Sequence, residues 1–356
     1  MWRLALLLVA VTIGCFALVE ASPIDPVNAY IGADTARIGP EQRALIAERW
    51  GLDDPAPVRF GRLVGQLVRG NLGTSMIYDQ PVATVISQRF TASLALMTVA
   101  WLASGILGFG LGIVAAATRD SVIDRTIRWW AYTLASAPTF WIGLLLLAVF
   151  SVSLRWTPLC CAVPIGADPA ETSLLTRAHH LLLPAVTLSI VGVAPIVLHT
   201  RERATAALRS EFVLFARAQG DRGAGLVRHR VVRSAAVPAG LLLFASVSEL
   251  FGGAILAETV FSYPGLGQAT TEAGVRGDVP LLVGIALFSA VFVFVGNALG
   301  DLAQSVLDPR VPLSGVAGRR SGSGRWWSPG AERVGEHAGD LNGRTGVPPA
   351  GRGDQS

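Results

Sequence analysis

Polar and apolar residues run along this chain in long blocks rather than alternating with the short period of a strand. Six apolar segments, near residues 2–19, 91–118, 129–154, 181–200, 237–261 and 280–307, are each about long enough, at ~1.5 Å per residue, to cross a hydrocarbon core of ~30 Å. Lipid offers no water to a backbone N–H or C=O, so each segment predicts a helix. The fold class that follows is all-α, a polytopic membrane protein with about six transmembrane helices. Pro138, Pro195 and Pro238 fall inside the segments and predict kinks or span ends. Gly108 and Gly112 form a small-xxx-small pair suited to close helix packing, while Gly252 and Gly253 are expected to interrupt the fifth span.

The polar stretches set the domain plan: a first transmembrane helix over 1–20, a helical cap over 21–90, a five-helix core over 91–310 and a tail over 311–356. The cap is too long for a simple turn. Within it residues 41–50 predict a short helix, and Phe60, Leu63, Val64, Leu67 and Val68 recur with helical spacing along one face. The tail is rich in Gly, Arg, Ser and Pro without apolar period, and is expected to be disordered, with Trp326 and Trp327 as its only membrane-seeking side chains.

The core is interrupted once by a strongly basic stretch, residues 201–238. Eight arginines there face only Glu202, Glu211 and Asp221, which places the stretch in water or against a soluble partner. Arg119, Arg125 and Arg128, this stretch and the tail would share one side of the membrane, the side of Arg3. The cap lies opposite, where acids offset its seven arginines. The positive-inside rule then puts both termini in the cytoplasm and the cap outside. A cleaved signal peptide over 1–21 is the competing reading. An uncleaved helix is preferred because the apolar run continues past Cys15 to Val19.

Composition narrows the chemistry. Of 356 residues 51% are hydrophobic and 15% charged, and mean hydropathy is +0.51, outside the range of soluble domains of this length. All 29 basic residues are arginine, so Schiff-base and P-loop lysines are both excluded. The net charge of +4 sits beside apolar spans and not on a soluble basic face, which argues against nucleic acid as a partner. Cys160 and Cys161 are adjacent, a spacing that suits neither an ordinary disulfide framework nor a metal site, and are read as small residues of an outer loop, with a redox-sensitive pair as the alternative. His179 and His180 point in different directions on a helix and make a poor chelate, so a capping or interfacial role is preferred. No nucleophile and base come together, so no catalytic residue, metal or cofactor is assigned. Glu249, Glu258 and Asp301 lie in or near the last two spans, and acids at membrane depth are candidates for a translocation pathway.

The basic stretch carries more than charge. Ala216-Arg217-Ala218-Gln219-Gly220, followed by Arg233-Ser234-Ala235 and Pro238, resembles the coupling loop of bacterial ABC importer permeases of the branch that moves dipeptides, oligopeptides or nickel. Supporting motifs run through residues 1–310: Gly51-Leu52-Asp53, Asn71-Leu72-Gly73-Thr74-Ser75 before Pro81-Val82, Pro138-Thr139-Phe140-Trp141, Leu183-Pro184-Ala185, Glu258-Thr259-Val260-Phe261 leading into Pro264-Gly265-Leu266-Gly267, and Asp308-Pro309-Arg310. Two departures stand out: Glu211-Phe212-Val213-Leu214-Phe215 replaces the branch's Asp-Tyr-Val-Arg-Thr, and His229-Arg230 inverts its Arg-His. The resemblance implies a non-catalytic permease subunit in the bacterial inner membrane. Its implied partners are a second permease, two ATP-binding cassette subunits and an external binding protein. It also implies a short cytoplasmic coupling helix, about 211–219, within the loop 201–236, with Gly220 allowing the turn that follows and Glu211, Ala216, Arg217, Ala218, Gln219 and Gly220 at the ATPase. The alternative is a self-sufficient proton-coupled secondary transporter built on an intramembrane acid such as Glu249.

Overall fold

A computed structural model describes residues 2–23, 26–31, 39–168, 171–221 and 223–307. The tail 311–356, with Trp326 and Trp327, lies outside the described residues, as do Arg222 and the Asp308-Pro309-Arg310 motif. Helices make up nearly all the regular structure, in line with the all-α reading. α1 covers Trp2–Glu20, and the cap contributes α2 (Pro26–Ile31), α3 (Pro40–Trp50) and α4 (Ala56–Val68). α3 closes on Gly51 at φ +60°, a left-handed turn that donates back to Ala47 and Glu48 and that a glycine adopts without strain. In α4 the apolar face buries Leu63 but leaves Val68 exposed.

A two-strand hairpin, β1 (Thr74–Ser75) antiparallel to β2 (Gln80–Pro81), leads into the membrane helices. Three of these are long and apolar enough to span alone: α5 (Val82–Ala117), α8 (Leu174–Leu208), and Val279–Leu302 within α14 (Val279–Leu307). The 36 residues of α5 reach about 54 Å, well beyond a hydrocarbon core of ~30 Å. α5 begins at Val82, not at residue 91, because the end of the hairpin feeds directly into it.

The remaining apolar segments are not single long helices, and one of them bends at Pro138, where a kink or span end is expected. α1 is the short one, apolar over Leu4–Glu20. The third segment is a bent pair, α6 (Val122–Ser136) followed by α7 (Thr139–Leu146) and a π-helical end, Leu147–Ser153, with a bend of 107°. Pro138 causes it, since the residue before a proline is held extended and Ala137 has ψ 136°. Pro184 and Pro195, by contrast, lie within α8 without ending it.

The fifth segment runs through α10 (Gly223–Leu226), a π-helical turn Val227–Val231 and α11 (Val232–Ala245), then bends by 51° into α12 (Val247–Val260). The break is at Ser246 and not at Gly252 and Gly253, which lie inside α12. Leu243 O accepts from Trp101 Nε1 at 2.8 Å and from Ser246 Oγ at 2.8 Å. Side chains thus occupy the carbonyl that would continue the ladder, and the helix kinks. α13 (Leu266–Arg276) completes the set before α14.

The seam between α5 and α8 is the most extensive helix contact among the described residues. A Cβ on Gly108 would meet Ile196 Cβ at 2.8 Å, one on Gly112 would meet Thr200 Cβ at 2.6 Å, and one on Gly192 would meet Ser104 Oγ at 2.6 Å. Lipid tails are as apolar as leucine, so burial alone does not drive such a pair together; close backbone approach and packing do. Gly110 has nothing within 4 Å and provides an internal control. Gly112→Val is expected to cost about 1–3 kcal/mol of stability by overpacking, lowering the thermal unfolding midpoint in detergent. Gly110→Val should leave that midpoint nearly unchanged, and equal effects at both positions would contradict the seam.

Candidate coupling and translocation site

After α8 ends at Leu208 the chain turns through Arg209 and Ser210 into a short helix, α9 (Glu211–Ala218). Ser210 takes the extended N-cap conformation, and Gln219, Gly220 and Asp221 donate back to Phe215, Arg217 and Ala216. Gly220 stands at φ +101° with open space where a Cβ would be. Conformation, not crowding, therefore calls for glycine at this turn. The sequence expectation of a helix over 211–219 turning at Gly220 agrees with this geometry to within a residue.

α9 faces two ways. Val213 and Ala216, three apart and buried, pack with Leu226 of α10 and with Leu208 at the end of α8. On the other side Phe212, Leu214 and Phe215 are 55%, 52% and 65% exposed. Glu211, Arg217, Ala218, Gln219 and Gly220 are exposed as well, whereas Ala216 belongs to the buried face. Arg230 lies 5.0 Å over the Phe212 ring and bonds Asp221 at 3.5 Å, holding the returning chain beside α9. The protein's own core therefore leaves three large apolar side chains of α9 uncovered on a strongly basic segment.

Behind α9 the loop is tied to the membrane helices. Val231 and Ala235 are buried with Ala204 of α8 and Ala116 of α5. Placing all of 201–238 in water therefore needs correction: α8 continues into this stretch as far as Leu208, and part of the stretch is core. Arg201 is the clearest case. Its Nε and Nη2 donate to the two oxygens of fully buried Asp124 at 2.6 and 2.7 Å, pinning α6 against α8. A bidentate guanidinium–carboxylate pair is the strong form of such a bond. Asp124 also accepts from Asp120 N at 3.0 Å, while Ser121 caps the helix by accepting from Asp124 N. The readable signal was Ser121 followed three residues later by an acid, a helix-start pattern that fixes where Asp124 sits.

The candidate pathway acids separate sharply. Glu249 is exposed in the first turn of α12, beside Ser248, whose hydroxyl donates to Asn297 of α14 at 2.7 Å. Asp301 is exposed on α14. Glu258 is fully buried: it accepts from Ser93 Oγ at 2.6 Å, Gly267 N at 2.6 Å and Gln268 N at 3.2 Å, while Ser93 Oγ accepts from Leu266 N at 2.7 Å. The carboxylate thus caps α13, and added Cβ atoms on Gly265 and Gly267 would collide with Glu258 and Ile255. Its place is an anchor between α5, α12 and α13.

Sequence reasoning missed a second anchor. Buried Asp278 accepts from Ser75 Oγ at 2.7 Å, Ile77 N at 3.1 Å and Leu281 N at 3.1 Å, so it caps α14 and locks the hairpin at once. Tyr78 OH donates to Glu272 at 2.7 Å. Burial first, and that bond second, push the Tyr78 phenol up to about 12, so it keeps its proton at neutral pH. Asn71 accepts from Gly73 N at 2.9 Å, which gives the Asn71-to-Ser75 motif a physical basis.

Known proteins place this geometry. The family described as binding-protein-dependent transport system inner membrane component matches residues 108–312. A protein of Brucella suis biovar 1 is 35% identical over 309 residues, covering 86% of this chain and 96% of its own length. The di/tripeptide transport system permease protein of Pseudomonas aeruginosa is 33% identical over 316 residues, 85% of this chain and 94% of that one. Among solved structures, a chain of the MetNI methionine ABC transporter in an inward-facing conformation superposes with TM-score 0.51 at 16% identity. That match covers 63% of this chain and 97% of that one, a likeness of fold.

The Glu258 anchor is testable apart from transport. Glu258→Ala leaves buried donors at Ser93, Gly267 and Gln268 without an acceptor and is expected to cost about 3 kcal/mol or more. Glu258→Gln keeps one acceptor and should cost less. Thermal unfolding of both variants in detergent checks the order; an unchanged midpoint for Glu258→Ala would remove the anchor.

Proposed function

This chain belongs to the family of binding-protein-dependent transport system inner membrane components, and from that membership we propose that it forms half of the translocation path of a peptide importer and meets a separate ATPase subunit through α9. The observation that carries the coupling role is the outward apolar face of Phe212, Leu214 and Phe215 on α9. With no lysine the chain has no standard Walker A motif, so ATP is hydrolysed on another chain. Two ATP-binding cassette subunits and a second permease complete the path, and an external binding protein delivers the substrate. The arginine distribution supports an inner-membrane protein with both ends cytoplasmic. The printed name of the Pseudomonas aeruginosa relative favours peptide over nickel as cargo.

In this reading the closing ATPase pair moves α9 as a rigid body and rocks the attached spans between outward and inward access. Reversing a 1:99 balance of the two arrangements needs nucleotide states that differ by about 5.5 kcal/mol in their preference. A partner buried against three large apolar side chains can transmit such a difference, whereas a solvated charged patch is screened. Glu249, exposed on α12, is the acid we assign to the path shared with the second permease.

Gly220→Val strains only the turn after α9. It is expected to leave membrane insertion intact and to uncouple ATP hydrolysis from uptake in proteoliposomes, as Phe215→Asp should by disrupting the docking face. Normal coupled uptake in both variants would rule out α9 as the contact. Cargo is read from the reconstituted complex: a peptide-loaded binding protein should stimulate ATP hydrolysis and a nickel-loaded one should not, and the reverse result would reassign the substrate.

A further inference from the structure

The connector between the π-helical end of α7 and the start of α8 holds chemistry that transport does not use. Cys160 and Cys161 are joined to each other by a disulfide, which corrects their reading as two ordinary small residues. Cys161 is left-handed, φ +73°, a conformation that L-residues other than Gly, Asn and Asp rarely hold. Its N–H donates to Phe261 O at 3.1 Å, and Phe261 is the buried residue that closes α12. On the other side His180 Nδ1 lies 3.1 Å from Cys160 O and 3.3 Å from Cys161 O, and His179 Nε2 lies 2.8 Å from Trp156 O. Ala162, next to Cys161 in sequence, and Leu181, next to His180, pack on the main core. Both cysteines are half-buried.

We propose that Cys160–Cys161 is a redox-modifiable clasp that fixes this connector to the bend between α12 and α13. In the disulfide form the small ring holds the Cys160–Cys161 peptide in one shape and presents the Cys161 N–H to Phe261. A dithiol reductant opens it: one of its thiolates attacks a cysteine sulfur, the second resolves the mixed disulfide, and the protein gains two electrons and two protons while the reductant becomes a disulfide. Rotation about Cys161 is then free, the residue leaves the left-handed region and its N–H leaves Phe261. The segment released is the one that follows Glu258 and leads into α13, so the modification acts on the anchor that positions the end of α12. His179 and His180 hold the connector on the α8 side in either state, which confines the change to the α12 side.

The test uses the full chain, in membranes or with its copurifying subunits. Alkylation without reductant, followed by peptide mass analysis, should label Cys15 and leave Cys160 and Cys161 bonded; after dithiothreitol all three should label. Hydrogen exchange at the Cys161 amide should then quicken by at least about fivefold, the loss of one hydrogen bond. Cys160→Ser should show the same rate without reductant, which separates loss of the bond from any side effect of the reagent. Free thiols at 160 and 161 before reduction, or exchange unchanged both on reduction and in Cys160→Ser, would overturn the clasp. Neither measurement needs ATP or substrate, so a negative result leaves the importer reading untouched.

Discussion

The close approach of α5 and α8 is the contact on which the rest of this protein depends. Helices in lipid gain little by hiding apolar side chains from one another, so a stable frame has to come from packing that lipid cannot match. Gly108 and Gly112 on one helix and Gly192 on the other remove the side chains that would hold the backbones apart. The two helices are also the longest among the described residues, and each carries attachment points for other elements. Trp101 of α5 reaches Leu243 and sets the bend between α11 and α12; Ser93 reaches Glu258 and the start of α13; Arg201 of α8 reaches Asp124 and fixes α6.

The attached elements are held by buried acids. Asp124, Glu258 and Asp278 are each fully buried, and each accepts at least three hydrogen bonds from different parts of the chain. Charge in a low-dielectric interior is costly unless fully paired, and once paired it tolerates little displacement. Such residues suit the fastening of short elements such as α6, α13 and the hairpin. Glu249 is the contrast: it is exposed in the first turn of α12 and, among the described residues, ties no second element to its own.

Much of this was readable in advance, and the gaps have physical causes. Apolar blocks located the membrane helices, and the turn chemistry of Gly220 located the end of α9, because both signals are local. Ser246 was missed because its kink depends on Trp101, far away in sequence, taking the Leu243 carbonyl. Arg201 was assigned to water because charge density describes a segment and not the acid on another helix that neutralises one of its members. Glu258 was recognised as special, since an acid at membrane depth demands a partner. Whether that partner is a pathway or a helix end depends on three-dimensional proximity to Gly267, which spacing alone does not disclose. The adjacent cysteines were judged by the geometry of ordinary bridges, and a bond between neighbours falls outside that rule.

The same contacts decide how motion at α9 would travel. Val213 and Ala216 join α9 to Leu226 and Leu208, and a few residues further on Val231 and Ala235 join the returning chain to Ala204 and Ala116. Leu208 and Ala204 both belong to α8, which continues unbroken past Pro195 and Pro184 to its start at Leu174. A displacement of α9 therefore enters a helix that is locked to α5 by glycine packing and to α6 by a bidentate ion pair, with no flexible joint between loop and seam. The bends lie elsewhere, at Pro138 between α6 and α7 and at Ser246 between α11 and α12. On the proposed coupling, α5, α8 and α6 move together as one body, and the Ser93–Glu258 bond carries the end of α12 with them. The Cys160–Cys161 connector meets that same end of α12 at Phe261, so a covalent change there would act where α12 hands over to α13 and leave the glycine seam untouched.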